Sequence, residues 1–144
     1  MTATRIPPGL YGLADSSFGN PFALAEALHS AGCNLIQIRA KDWPAEALIS
    51  EGRTTLARLT RKGAVVIIND HIEVARALGA SGVHLGQSDC PPSEARTHLG
   101  DQAIIGLSTH NLDQVRSAQE VDYLGFGPIF ETRTKQQAGQ PRGV

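Results

Sequence analysis

The sequence predicts an α/β fold of repeated β-α units around a parallel sheet, and three observations predict it. Short apolar, strand-like runs alternate with helical segments at intervals of roughly 20 to 30 residues. No linker or low-complexity tract interrupts that rhythm along the 144 residues. Several of the runs end in polar clusters, Asn69-Asp70, Gln87-Ser88-Asp89, Ser108-Thr109-His110 and Thr132-Arg133-Thr134-Lys135. The carboxyl edge of a parallel sheet is where such folds keep their chemistry, because loops converge there and the following helices aim their amides at anions.

The elements follow in order. Leu10-Tyr11-Gly12-Leu13-Ala14 reads as the first strand. A helix over residues 22–31 has Asn20 placed as its cap, Pro21 at its first position and Gly32 at its exit, the usual punctuation of a helix. The second strand covers 34–40 and the helix after it about 44–61. A third strand over 64–68 leads into a short helix over 72–78, with Gly79 and Gly82 at its exit. A fourth strand near 83–85, a helix over about 93–99, a fifth strand over 103–107 and a helix over 112–119 continue the pattern. Residues 123–126 make a sixth strand.

Size and charge narrow the function. The chain is one domain, with enough residues for a core but fewer than the roughly 250 typical of a closed eight-stranded α/β barrel. A formal net charge of -1 leaves no basic excess to grip nucleic acid or an anionic membrane. The expected partners are small molecules. The two thiols, Cys33 and Cys90, and an N-terminus with no apolar stretch to serve as a signal or membrane span place the expectation in a reducing cytosol.

Asp70 and Asp89, each closing an apolar run, have the pattern of a Mg²⁺ site, since this hard cation takes one or two carboxylates and leaves its other positions to water and substrate phosphate. The bland reading is that Asp70 caps the next helix and Asp89 forms a turn before Cys90-Pro91-Pro92. Strand alternation puts Leu35, Gln37, Arg39 and Lys41 on one face and Ile36, Ile38 and Ala40 on the other. Facing inward, Arg39 needs an anion, whether a ligand phosphate or one of the protein's own aspartates. Asn69 beside Asp70 suits phosphate and metal together. Ser108 is either a ligand hydroxyl or a cap for the next helix. His84 and His110 read as structural groups, and Trp43 as packing against a loop. The run Gly125-Phe126-Gly127-Pro128-Ile129-Phe130-Glu131-Thr132-Arg133-Thr134-Lys135 offers close backbone approach, hydroxyl donors and a point charge, and reads as a second anion site.

Together, Gln37-x-Arg39-x-Lys41, Ile68-Asn69-Asp70, Gly82-Val83-His84-Leu85-Gly86-Gln87-x-Asp89, Ser108-Thr109-His110 and Gly125 to Lys135 resemble thiamine phosphate synthase over nearly the whole chain. The resemblance implies a TIM (β/α)8 barrel of which this chain has about six of eight β-α units. It also implies a transferase that joins a hydroxymethylpyrimidine diphosphate to a thiazole phosphate, giving thiamine phosphate and pyrophosphate. It assigns Gln37, Ile38, Arg39, Ala40, Lys41, Asn69, Ser108 and Lys135 to the pyrimidine diphosphate, Thr132, Arg133 and Thr134 to the thiazole phosphate, and Asp70 and Asp89 to Mg²⁺. Arg39, Lys41, Ser108 and Lys135 are the residues expected to carry catalysis.

The sequence departs from that family at two places and at its end. Ala40 stands where the family commonly has Glu, and the segment between Leu112 and Asp122 is short. Relatives continue past Val144 through two further β-α units. Six strands cannot close an eight-stranded barrel, so the chain is expected to be a truncated product or to associate with a second copy. Two other functions stay open: a metal-free thiazole aminotautomerase sharing the barrel, and a non-catalytic binder of thiamine precursors.

Overall fold

Each apolar run of the chain finds its partner in the run that precedes it. The computed structural model describes residues 6–130, and they form six parallel strands in the order β1-β2-β3-β4-β5-β6. The strands are β1 (Tyr11–Asp15), β2 (Leu35–Arg39), β3 (Val65–Asn69), β4 (Gly82–Leu85), β5 (Ile104–Thr109) and β6 (Tyr123–Phe126). The helices between them are α1 (Pro21–Ser30), α2 (Ala45–Arg61), α3 (Ile72–Leu78), α4 (Pro92–Leu99) and α5 (Leu112–Ser117), with a single 3-10 turn at Ser16–Phe18. Each crossover steps to the next strand, and the helices pack their apolar side chains on one face of the sheet, leaving the other concave.

Alternation along the strands divides the apolar residues between these faces. Ile36, Ile38, Val66, Ile68, Val83, Leu85, Ile105 and Leu107 meet Phe22, Leu48, Leu56, Leu59, Val74 and Ala95 of the helices in the main core. Leu35, Ile67 and Ile104 form a smaller cluster on the concave face with Tyr11, Val65 and Tyr123. That second cluster measures the curl of the sheet. In a flat sheet β1 and β6 would stand about 24 Å apart at ordinary strand spacing, yet Tyr11 Oη and Tyr123 Oη are hydrogen-bonded at 2.7 Å. The sheet is a curled half-barrel.

Two glycines permit this packing. A Cβ on Gly82 would lie 1.9 Å from the Ile104 carbonyl oxygen, and one on Gly106 would lie 2.1 Å from the Tyr123 ring. Asn20 caps α1 as expected, its side chain accepting from the Phe22 and Ala23 amides, with Pro21 at the start of the helix. The element edges shift slightly from the sequence expectation. β5 runs on through Thr109, whose hydroxyl donates to Gly125 O while its own carbonyl accepts from the Gly127 amide. α5 stops at Ser117, because Ala118 adopts an extended backbone.

Candidate functional site

Five strand ends bring the polar residues together. Arg39, last in β2, pairs with Asp15, last in β1 and its register partner. Each side chain is only 14% exposed. Ser17 also donates to Asp15, through its amide at 2.9 Å and its hydroxyl at 2.7 Å. Burial pushes the Asp15 carboxyl up, but the Ser17 hydrogen bonds and the Arg39 charge outweigh it, so the net shift is downward. Of the two anions open to Arg39 from sequence, the protein's own aspartate is present in the structure.

β3 ends in Asn69, buried, followed by Asp70 with φ +64°. A residue with a Cβ seldom takes that left-handed conformation, and such strain collects at functional positions. Here the Asp70 amide donates to His84 O at 2.9 Å. Asp70 does not cap α3: the cap position belongs to His71, which makes no side-chain capping bond. Its carboxylate instead faces Lys41 Nζ at 3.5 Å. Lys41 is 60% exposed, so this pair is open to solvent and to a ligand.

After β4 the chain turns tightly, with Asp89 Oδ2 accepting the Gly86 amide at 2.6 Å. Asp89 is thus both a turn former and an acid at the strand ends. Burial raises its pKa, and the Asp70 carboxylate raises it further, against the Gly86 amide and Lys41, which lower it. Two like charges held close together are the arrangement that a divalent cation relieves. Among the described residues no group of three or more His, Cys, Asp and Glu side chains could hold a metal. Two carboxylates are the donor number that Mg²⁺ takes from a protein, its other positions going to water and phosphate, whereas zinc-type sites need three or four protein ligands.

Ser108 sits on the concave face near the end of β5. It does not cap α5, a role that Asn111 fills. Its Oγ is bonded to His84 Nε2 at 2.8 Å, and His84 Nδ1 to Tyr123 Oη at 2.8 Å. Gln37, buried on the same face, donates through Nε2 to Tyr11 Oη at 2.8 Å. Ile38 and Ala40 have side chains buried in the helix-side core, so only their backbones are left for a ligand. Thr132, Arg133, Thr134 and Lys135 lie outside the described residues.

Sequence reasoning did not single out Asp15, Tyr11 or Tyr123; it read His84 as a structural group, and both of its ring nitrogens are hydrogen-bonded within the protein. Asp15 carried the same signal as Asp70, an acid closing an apolar run. The tyrosines carried only their inward phase in the strand alternation. His110 holds Gly127 O through Nδ1 at 2.6 Å, and Trp43 packs edge-on against Phe22 with ring centroids 6.1 Å apart. Trp43 thus packs, but against a helix residue of α1 rather than against a loop. The two cysteines are free thiols.

The fold and site define a class, a curled parallel β-α half-barrel carrying paired acids and cations on its carboxyl edge. A family model described as thiamine monophosphate synthase matches residues 10–144. The chain is 39% identical over 137 residues to the thiamine-phosphate synthase of Halalkalibacterium halodurans, covering 92% of this chain and 65% of that protein. It is 41% identical over 140 residues to that of Azorhizobium caulinodans, covering 94% and 66%. Among solved structures, thiamine phosphate pyrophosphorylase from Pyrococcus furiosus superimposes with a TM-score of 0.74 at 31% identity, over 83% of this chain and 60% of that one. The chain belongs to the thiamine monophosphate synthase family, and it spans less than two thirds of the length of these relatives.

Proposed function

We propose that this chain supplies the pyrimidine diphosphate side of a thiamine phosphate synthase. The reaction would join 4-amino-2-methyl-5-(diphosphooxymethyl)pyrimidine to 4-methyl-5-(2-phosphoethyl)thiazole, or its carboxylated form, and release pyrophosphate. Its six β-α units would be the larger part of a TIM barrel. The observation that carries the reading is the juxtaposition of Asp70 and Asp89 with Lys41 on the Asp70 carboxylate, on the same edge as Arg39 and Ser108.

In this reading the carbon–oxygen bond to the diphosphate breaks first, and the thiazole nitrogen then attacks the methylene carbon. The leaving diphosphate gains negative charge as that bond lengthens, so cations held beside it stabilise the transition state more than the ground state. Lys41 is free to swing from Asp70 to a phosphate oxygen, and Arg39, already oriented by Asp15, presents donors that need no reorganisation. Mg²⁺ held by Asp70 and Asp89 would neutralise further charge on the diphosphate. Asn69 and Gln37 supply neutral donors along the same edge. Lys135 and the Thr132 to Thr134 segment complete the anion contacts in this proposal.

The test is to incubate both substrates with MgCl2 and the protein, and to assay thiamine phosphate. Product that disappears on chelation supports the reading. No product even when the protein is extended by the further length that its relatives carry would eliminate it.

A further inference from the structure

We propose that Gln37, Tyr11, Tyr123 and His84 form a one-way hydrogen-bond chain that makes the Ser108 hydroxyl a donor toward an anionic oxygen at the strand ends. The chain crosses the concave face through five strands, Gln37 Nε2 to Tyr11 Oη at 2.8 Å, Tyr11 Oη to Tyr123 Oη at 2.7 Å, Tyr123 Oη to His84 Nδ1 at 2.8 Å and His84 Nε2 to Ser108 Oγ at 2.8 Å.

The order of the hydrogens follows from counting donors. The Tyr11 oxygen accepts from Gln37, and its own hydrogen has one hydroxyl acceptor among the described residues, Tyr123 Oη. Tyr123 therefore turns its hydrogen to His84 Nδ1. With Nδ1 accepting, the neutral imidazole carries its proton on Nε2 and donates to Ser108 Oγ. The Ser108 hydrogen is then directed away from the ring. The opposite order would leave the largely buried Tyr11 hydroxyl hydrogen with no side-chain acceptor among the described residues, a costly state for such a group. Burial raises the pKa of both phenols, so each keeps the hydrogen that the count assigns to it.

A phosphate oxygen accepts, so a serine whose oxygen already receives the His84 N–H and whose hydrogen is turned toward the strand ends offers it a ready donor. This step rests on the diphosphate reading above. Tyr11, Tyr123 and His84 are positioning residues in it, acting through Ser108.

The tautomer is measurable directly by long-range 1H–15N spectra of the imidazoles. The His84 signals are identified by their loss in His84→Gln or by their contacts to the Tyr123 ring, whose centroid is 5.4 Å away. The wild-type protein is expected to show the Nε2–H form. Tyr11→Phe should keep it, because Tyr123 still donates to Nδ1, whereas Tyr123→Phe should yield a mixture. Calorimetric titration with inorganic pyrophosphate and MgCl2 should show Ser108→Ala weakened about tenfold and Tyr123→Phe weakened by less. An Nδ1–H form in the wild type overturns the proposal, as does a tautomer unchanged in a folded Tyr123→Phe. An Nε2–H wild type that binds no pyrophosphate leaves the hydrogen order standing and overturns the diphosphate reading instead.

Discussion

Arg39 and Asp15 show how one residue's environment sets both stability and chemistry. Neutralising Asp15 leaves a mostly buried guanidinium without its counterion. Asp15→Asn is expected to cost about 2 kcal/mol at neutral pH by urea denaturation, less than for a fully enclosed pair because water reaches both groups. Since the folded pKa of Asp15 lies below its ordinary 3.8, its contribution is complete above that value and is lost as pH falls through the lowered one. The melting-temperature gap between wild type and Asp15→Asn should therefore close on acidification. Asp89 has the opposite sign. Its raised pKa means that the ionised form costs stability above the folded value, and acidification relieves the cost. Asp89→Asn keeps an acceptor for the Gly86 amide but removes the repulsion with Asp70. Without metal it should melt no lower than wild type. Added MgCl2 should raise the melting temperature of wild type, as ligand binding to the folded state requires, and leave that of the variant unchanged. Equal responses in the two proteins would remove Asp89 from the metal site.

At the scale of the elements, local punctuation and register carry different weights. Asn20 satisfies two orphan amides of α1, and Asn20→Ala should cost about 1 kcal/mol in chemical denaturation. Gly82 is a matter of register: a side chain there would collide with a backbone carbonyl of β5 at 1.9 Å. Backbone cannot move aside as a flexible side chain does. Gly82→Ala is expected to cost more than about 3 kcal/mol, with loss of the β4–β5 pairing. The cap was legible in the sequence because Asn20, Pro21 and the helical run are adjacent. The collision was not, since Gly82 and Ile104 become neighbours only through the strand register.

The whole molecule is a sheet curled far enough for its outer strands to touch through side chains, yet among the described residues β1 and β6 each lack a second partner. Leu13 on the concave face and Leu124 and Phe126 on β6 are exposed. Unpaired edges with apolar neighbours are sites of association. Light scattering is expected to give a mass above the 15.3 kDa of one chain, with dye binding to exposed apolar surface. A monomer that unfolds cooperatively and binds no dye would contradict this. Among the described residues no helix is long and apolar enough to cross a membrane.

By itself the sequence determined the alternation of strands and helices, the inward phase of Gln37 and Arg39, and the gathering of Asn69, Asp70, Asp89 and Ser108 on one edge. Those are local properties, since side-chain alternation and strand-end punctuation are complete within a few residues. Only the tertiary structure decided that Arg39 is answered by Asp15, that Lys41 leans on Asp70, and that Tyr11 and Tyr123, 112 residues apart, close a polar chain through His84 to Ser108. Those contacts exist because the sheet curls, and curl is the summed twist and packing of six strands, a quantity that no single segment contains.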